Sequence, residues 1–376
     1  MLQVEDGKLA LDDSLSKFFP EAPASWKPIT VRHLLTHTSG IPDYDERTLD
    51  YRKDYTEDEL ARTAFGLPLE FPAGARWNYS NTGYVLLGIL IGKTSGQFYG
   101  DLLRDRVFAP LGMKTASIIS EEDILMHRAA GYRVGGDTLK NQEWVAPKLN
   151  TTADGSLYLS LEDWLLWEQA LRQRAVLRAS SWEQVFTPVT LNSGRTYPYG
   201  FGWGLHDGRG PARYQHSGSW QGFKTAYLHA IDGDLSVIVL SNLADADPVR
   251  MSDRIAQVYL PALKPAALAS QVDPDPQLGA RVRALIEATA SGQLKGSAFE
   301  YPPVGFFPAE PAAYRKMLQD LGPVKSMELL QRFTLGDDTV VEYRAWVGSQ
   351  PFRVRITVNP SGLFSSYALR RESQEE

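Results

Sequence analysis

Hydrophobic and polar positions divide the chain into two stretches with different periodicities. From residue 1 to about 263, helical patterns alternate with Gly- and Pro-rich loops and a few strands. "ITVRHLLTHTSG" (29–40) predicts a helix with Thr30 as N-cap and Gly40 as its end. "NTGYVLLGILIGKTSG" (81–96) is apolar nearly all round, which predicts a helix buried on most sides. "AYLHAI" and "LSVIVLSN" flank "DGD" and predict an antiparallel hairpin, with "DPVRMSDRIAQVYLPAL" as a helix covering the sheet. The opening "MLQVEDGKLALDD" reads as the tail of an amphipathic helix stopped at Gly7.

Residues 264–276 are rich in Pro, Ala and Asp and read as a linker. Beyond it the pattern changes. A helix with Leu278, Val282, Leu285 and Ile286 on one face leads to a second helix at about 311–321. Alternating segments "MELLQRFTL", "TVVEYRAWV", "FRVRITVN" and "LFSSYALRR" follow, separated by "GDD", "GSQP" and "NPSG" turns. Two helices before an antiparallel meander predict a small α+β domain over 277–376.

Composition narrows the function. The 376 residues are 43% hydrophobic and 22% charged, ordinary for a globular protein with sizeable cores. The net charge of -6 and the absence of a basic run argue against a nucleic-acid partner. The run "VLLGILI" is far too short to span a bilayer, so no transmembrane segment is expected. The N-terminus lacks the basic and apolar regions of a signal peptide. Cysteine is absent, which excludes disulfides, thiolate metal sites and a cysteine nucleophile but fixes no compartment.

Three stretches carry candidate chemistry. In "PAGARWNYSNTGYVLLG", Tyr79 and Asn81 form a Y-x-N triplet at the start of the apolar helix. A phenol there feels the positive end of the helix dipole, which favours a tyrosinate able to act as general base. Asn81 offers a donor and an acceptor to a substrate amide. In "YQHSGSWQGF", His216 precedes Gly218, which lets a substrate backbone approach, and the N–H of Ser219 is a candidate oxyanion donor. "YPYGFGW" is a Gly/aromatic turn suited to walling a pocket.

Other matches have plainer readings. His33 and His37 stand at i and i+4 but lack a third ligand, so they read as structural. "GKTSG" sits where Lys93 and Gly96 would end a helix. Ser14 and Lys17 satisfy S-x-x-K, yet Pro20 and Pro23 stop any helix that would bury the lysine. They read as a turn and not as a nucleophile pair.

Taken in order, "VEDGKLALDDSLSKFFPE", "ITVRHLLTHTSGIPDY", "FPAGARWNYSNTGYVLLGILIGKTSG", "VFAPLGMKTAS", "YGFGW", "HSGSWQGF" and "VIVLSN" resemble the landmarks of the serine β-lactamase and penicillin-binding-protein-like hydrolases, in the branch with class C β-lactamases, D-aminopeptidases and esterases. The resemblance covers residues 1 to about 262. It implies an α+β two-lobe fold, with an antiparallel sheet flanked by helices plus a helical lobe. It also implies acyl transfer, in which a serine attacks a carbonyl and a lysine and a tyrosine manage its proton. Tyr79 and His216 would be catalytic, with His216 in place of the lysine of many β-lactamases. Asn81, Gly218 and Ser219 would bind substrate. No cofactor and no metal is called for. The partner is a small-molecule or peptide substrate, and relatives are often exported to the periplasm or cell surface.

The resemblance places the nucleophilic S-x-x-K roughly ten residues before Met1. The expectation is therefore a hydrolase domain over 1–263 whose Ser/Lys pair is missing from this chain. Either the chain is truncated, or it is a pseudoenzyme that binds peptides or cell-wall fragments without acylation. "TTADGSLYLS" (151–160) also departs from the family pattern, with Asp154 where small residues and a Gly-Gly are usual. The C-terminal domain is similar to small NTF2-like domains.

Overall fold

The computed structural model describes residues 1–45, 47–303 and 305–372. It divides into two compact units. One comprises Met1–Asn192 and Tyr197–Pro265, the other Ser193–Thr196 and the chain from Ala266 onward.

The first unit opens on a short helix, α1 (Leu2–Glu5), which ends before Gly7 at φ +68°. Helix α2 (Val31–Leu35) is capped by Thr30 but is shorter than the sequence pattern predicts. His37 takes a left-handed φ of +55°, which turns the chain out of the helix well before Gly40. Helix α3 (Glu57–Phe65) carries a capping box between Thr56 and Glu59.

The longest helix of this unit is α4 (Asn81–Ser95), capped by Ser80 and closed by Gly96 in the left-handed conformation. Its residues Val85 to Leu90 are all buried among Leu15, Trp26, Ile29 and Leu34. Each fully buried leucine or isoleucine there contributes roughly 1.5–3 kcal/mol. The apolar run therefore makes a rigid post, and whatever sits at its N-terminus is held by that post. Helix α5 (Leu161–Arg172) contributes Trp164, which stacks on Tyr227 of the sheet at 5.0 Å.

The sheet has four antiparallel strands in the order β4-β3-β2-β1. These are β1 (Gly204–Leu205), β2 (Arg213–Trp220), β3 (Phe223–Ala230) and β4 (Leu235–Ser241). Strand β1 pairs only with Tyr214 and Gln215, so no described strand covers the outer edge of β2 from His216 to Trp220. The β2–β3 turn is Gln221-Gly222, both with positive φ, the two-residue geometry that matches strand twist. A Cβ on Gly222 would meet the Tyr132 nitrogen at 2.7 Å, so only glycine fits. At the other end, no described strand pairs with the outer edge of β4. Helix α6 (Pro248–Tyr259) packs on β3 and β4 through small residues, Ser252 and Ala256. It leaves Met251, Ile255, Val258 and Tyr259 exposed.

The second unit has helix α7 (Pro276–Ser291), helix α8 (Phe306–Leu318) and a meander of β5 (Val324–Leu335), β6 (Asp338–Val347), β7 (Gln350–Val358) and β8 (Phe364–Arg371) in sequential order. Leu278, Val282, Leu285 and Ile286 are buried against Val341, Tyr343 and Phe352. Helix α8 starts earlier than the sequence pattern predicts. Pro308 occupies its first turn, where a missing N–H costs nothing, and Phe307 departs from helical dihedrals. Among the described residues no helix is long and apolar enough to cross a membrane.

Candidate active site

The site is built at the N-terminus of α4. The first N–H groups of a helix lack partners within it, and here each is met. Asp43 Oδ1 accepts from Asn81 N at 2.7 Å and from Thr82 N at 3.3 Å, and Ser80 Oγ accepts from Gly83 N at 3.3 Å. Asp43 Oδ2 also accepts from Asn81 Nδ2 at 2.9 Å. The Tyr79–Asn81 turn is thus bound to the 37–43 loop, a binding completed by Asn78 N to the His37 carbonyl at 2.9 Å and Ser80 N to His37 Nδ1 at 3.1 Å.

Tyr79 lies over the His37 ring, centroids 4.1 Å apart, and 6.2 Å from the His216 ring. The structure therefore brings Tyr79, Asn81 and His216 into one neighbourhood from two distant stretches of sequence. Gly218 and Ser219 continue β2 beyond His216 along its uncovered edge, and both are exposed. Gly218 is required for packing too, since a Cβ would meet Thr225 Oγ1 at 2.6 Å.

One expectation fails. Tyr79 is not predisposed to ionise: burial, then the charges of Asp43 and Asp154, push it up to about 12. Burial outweighs the helix dipole, and two of the first N–H groups of α4 already face the Asp43 carboxylate. Burial also lifts Asp43 to about 6, against the hydrogen bonds from Asn81 and Thr82. Asp154 accepts from the Tyr44 hydroxyl, and burial raises its carboxyl too. Its neighbour Ala153 sits against Gly88 of α4, where a Cβ would lie 2.5 Å away.

Tyr199, from the Gly/aromatic turn, bonds to both histidines. Its hydroxyl is 3.1 Å from His37 Nε2 and 3.0 Å from His216 Nε2. In the same turn Tyr197 stacks on Trp77 at 4.4 Å. Burial, with His216 nearby, holds His37 down to about 3, and burial also lowers His216. Both rings are neutral near pH 7.

Ser14 and Lys17 take no part. Ser14 Oγ donates to the Lys27 carbonyl at 2.8 Å and caps a short 3₁₀ turn, while Lys17 Nζ pairs with Asp13 at 2.9 Å in solvent. Nor do His33 and His37 share a ligand. His33 Nδ1 closes the capping box of α2 with Thr30. Among the described residues no cluster of three His, Asp or Glu is arranged for a metal.

The profile of the family described as Beta-lactamase matches residues 1–260. The chain belongs to the beta-lactamase family. Penicillin-binding protein 4* of Bacillus subtilis (strain 168) is 33% identical over 262 residues, covering 64% of this chain and 57% of that protein. A D-aminopeptidase of Brucella anthropi is 30% identical over 238 residues, covering 62% and 44%. The chain thus spans about half the length of the curated relatives it matches. Among solved structures, the D-amino acid amidase from Ochrobactrum anthropi SV3 complexed with L-phenylalanine superposes with a TM-score of 0.58 at 26% identity, covering 70% of this chain and 78% of that one.

Within this beta-lactamase domain, sequence reasoning missed Asp43, read His37 only as structural and took Tyr199 only as part of a Gly/aromatic pocket wall. Each lay inside a quoted family landmark. Their contacts reach across 17 to 162 residues of sequence, which no local pattern encodes.

Proposed function

We propose that this chain carries most of the active site of a serine hydrolase that cleaves an ester, amide or β-lactam through an acyl-enzyme. The observation that carries the reading is the convergence of Tyr79, Asn81 and His216 beside the open edge of β2. In this reading the substrate lies along that edge. Asn81, its Nδ2 held by Asp43, offers Oδ1 to the acyl side, and the N–H of Ser219 stabilises the developing oxyanion.

Tyr79 handles the proton of the attacking serine. Raised to about 12, it works as a base only beside a cation that pulls its pKa down, the role the family assigns to a lysine. Neither Ser14 nor Lys17 is free for this, and Ser80 is spent on capping α4. The nucleophile and its lysine are therefore proposed to come from sequence preceding Met1. The alternative, a binding protein that uses the same cleft without acylation, rests on the same engagement of Ser14, Lys17 and Ser80 elsewhere. For the C-terminal unit, two helices and a four-strand meander support the NTF2-like reading.

The deciding experiment reads the DNA upstream of the Met1 codon in frame and expresses the extended chain. Incubation with a penicillin, a p-nitrophenyl ester and a D-amino acid amide, followed by intact mass, tests for an acyl adduct. An adduct on an upstream serine, suppressed by Tyr79→Phe, supports the hydrolase. A stop codon before any S-x-x-K, or an extended chain that binds but never acylates, overturns it in favour of the binding protein.

A further inference from the structure

The hydrogen bonds around Tyr199 have only one consistent direction. Ser80 N is a backbone donor, so His37 Nδ1 must accept and carries no proton. The neutral His37 ring then has its proton on Nε2 and donates to the Tyr199 oxygen at 3.1 Å. At the far end, His216 Nδ1 lies 2.9 Å from the Ser217 carbonyl, which can only accept. His216 therefore carries its proton on Nδ1, and its Nε2 must accept from the Tyr199 hydroxyl at 3.0 Å. The two histidines are opposite tautomers joined by one phenol.

We propose that Tyr199 and His37 are positioning residues that set the tautomer and ring plane of His216, through a one-way chain from Ser80 N–H to His37, to Tyr199, to His216 Nε2. The inference rests on the reading that His216 belongs to the substrate cleft. It adds what the resting cleft presents there: an imidazole whose Nε2 lone pair is already occupied and whose Nδ1–H points at its own strand.

Two independent features support a device for orientation over simple filling of space. His37 is 2% exposed yet holds a φ of +55°, a conformation costly for a residue other than glycine, and that turn aims its ring at Tyr199. The ring is also fixed on other sides, by Tyr79 at 4.1 Å, Tyr84 at 5.0 Å and Trp77 at 6.2 Å. Tyr84 is itself pinned by its hydroxyl to the Leu35 carbonyl at 2.9 Å. A chain anchored at one end by a backbone N–H and at the other by a backbone carbonyl leaves no rotor to reverse it.

Two-bond proton–nitrogen correlation spectra of the 376-residue chain, labelled with ¹⁵N-histidine, test this directly. The six histidines are assigned with His216→Gln and His37→Gln, or by carbon–nitrogen correlation in the wild type should either variant fail to fold. The expected result is His216 protonated on Nδ1 and His37 protonated on Nε2. In Tyr199→Phe, the His216 Nε2 resonance should shift downfield as it loses its donor, and the His37 Nε2–H should lose its acceptor. His216 with its proton on Nε2, or a Tyr199→Phe variant that leaves both rings unchanged, overturns the proposal. If Tyr199→Phe does not fold, the wild-type tautomer pair still decides. None of these readouts requires turnover. A chain that never acylates leaves the inference standing, and a working hydrolase with the other tautomer removes it without touching the proposed function.

Discussion

Asp43 holds Asn81 at two points: Oδ1 accepts its backbone N–H at 2.7 Å and Oδ2 its side-chain N–H at 2.9 Å. A single carboxylate thus both caps α4 and fixes the orientation of the Asn81 side chain.

Burial sets the pH dependence of that grip. Asp43 rises from 3.8 to about 6 on folding, so its protonated form is favoured in the native state. Its contribution to stability is full below pH ~4 and is lost as pH rises through about 6. Thermal melts of Asp43→Asn against wild type should show the largest gap near pH 4, shrinking towards pH 7. A gap that widens with pH would mean that the ionised form is the favoured one.

Glu168 runs the opposite way. Burial opposes its charge, yet the adjacent His229 and hydrogen bonds from Ser236, Tyr227 and Arg172 together hold it down to about 2. Its contribution is present above pH ~4.5 and lost as pH falls towards 2. Glu168→Gln should cost roughly 2 kcal/mol at pH 7 and flatten acid unfolding over that range, read by denaturant titration at several pH values.

Gly218 should not tolerate a methyl group. With Thr225 Oγ1 2.6 Å from the added Cβ, Gly218→Ala should destabilise by about 1–3 kcal/mol. Thr225→Ala in the same chain should recover part of this. A double-mutant cycle with zero coupling would place the strain elsewhere.

Ser14→Ala should cost about 1 kcal/mol as a lost cap. Lys17→Ala breaks an exposed ion pair, expected to be worth under about 1 kcal/mol. Because the two side chains serve different partners, the double variant should be additive by denaturant unfolding.

Elements whose logic is local were legible in the sequence. The apolar pattern of residues 81–96 determines α4, and the face Leu278, Val282, Leu285, Ile286 determines the buried side of α7. Tyr79 and His216 could be singled out because each sits at a recognisable punctuation mark, a helix start and a Gly-containing strand. The early end of α2 could not, since a histidine in a left-handed turn leaves no compositional trace. Neither could the ionisation of Tyr79. The dipole argument left out burial, the leading cause, and the charge of Asp43, which a loop 38 residues away in sequence brings to the N-terminus of α4.

The open flank of β4 has a consequence for handling the protein. Its backbone donors and acceptors meet no described strand, and beside them α6 turns Met251, Ile255, Val258 and Tyr259 to solvent. A strand edge without a described neighbouring strand, next to an oily stripe, is the combination that favours strand-by-strand accretion. That flank is the expected site of self-association. Light scattering should rise with concentration, and a lysine at Ile255 or Val258 should suppress it while leaving the cleft untouched.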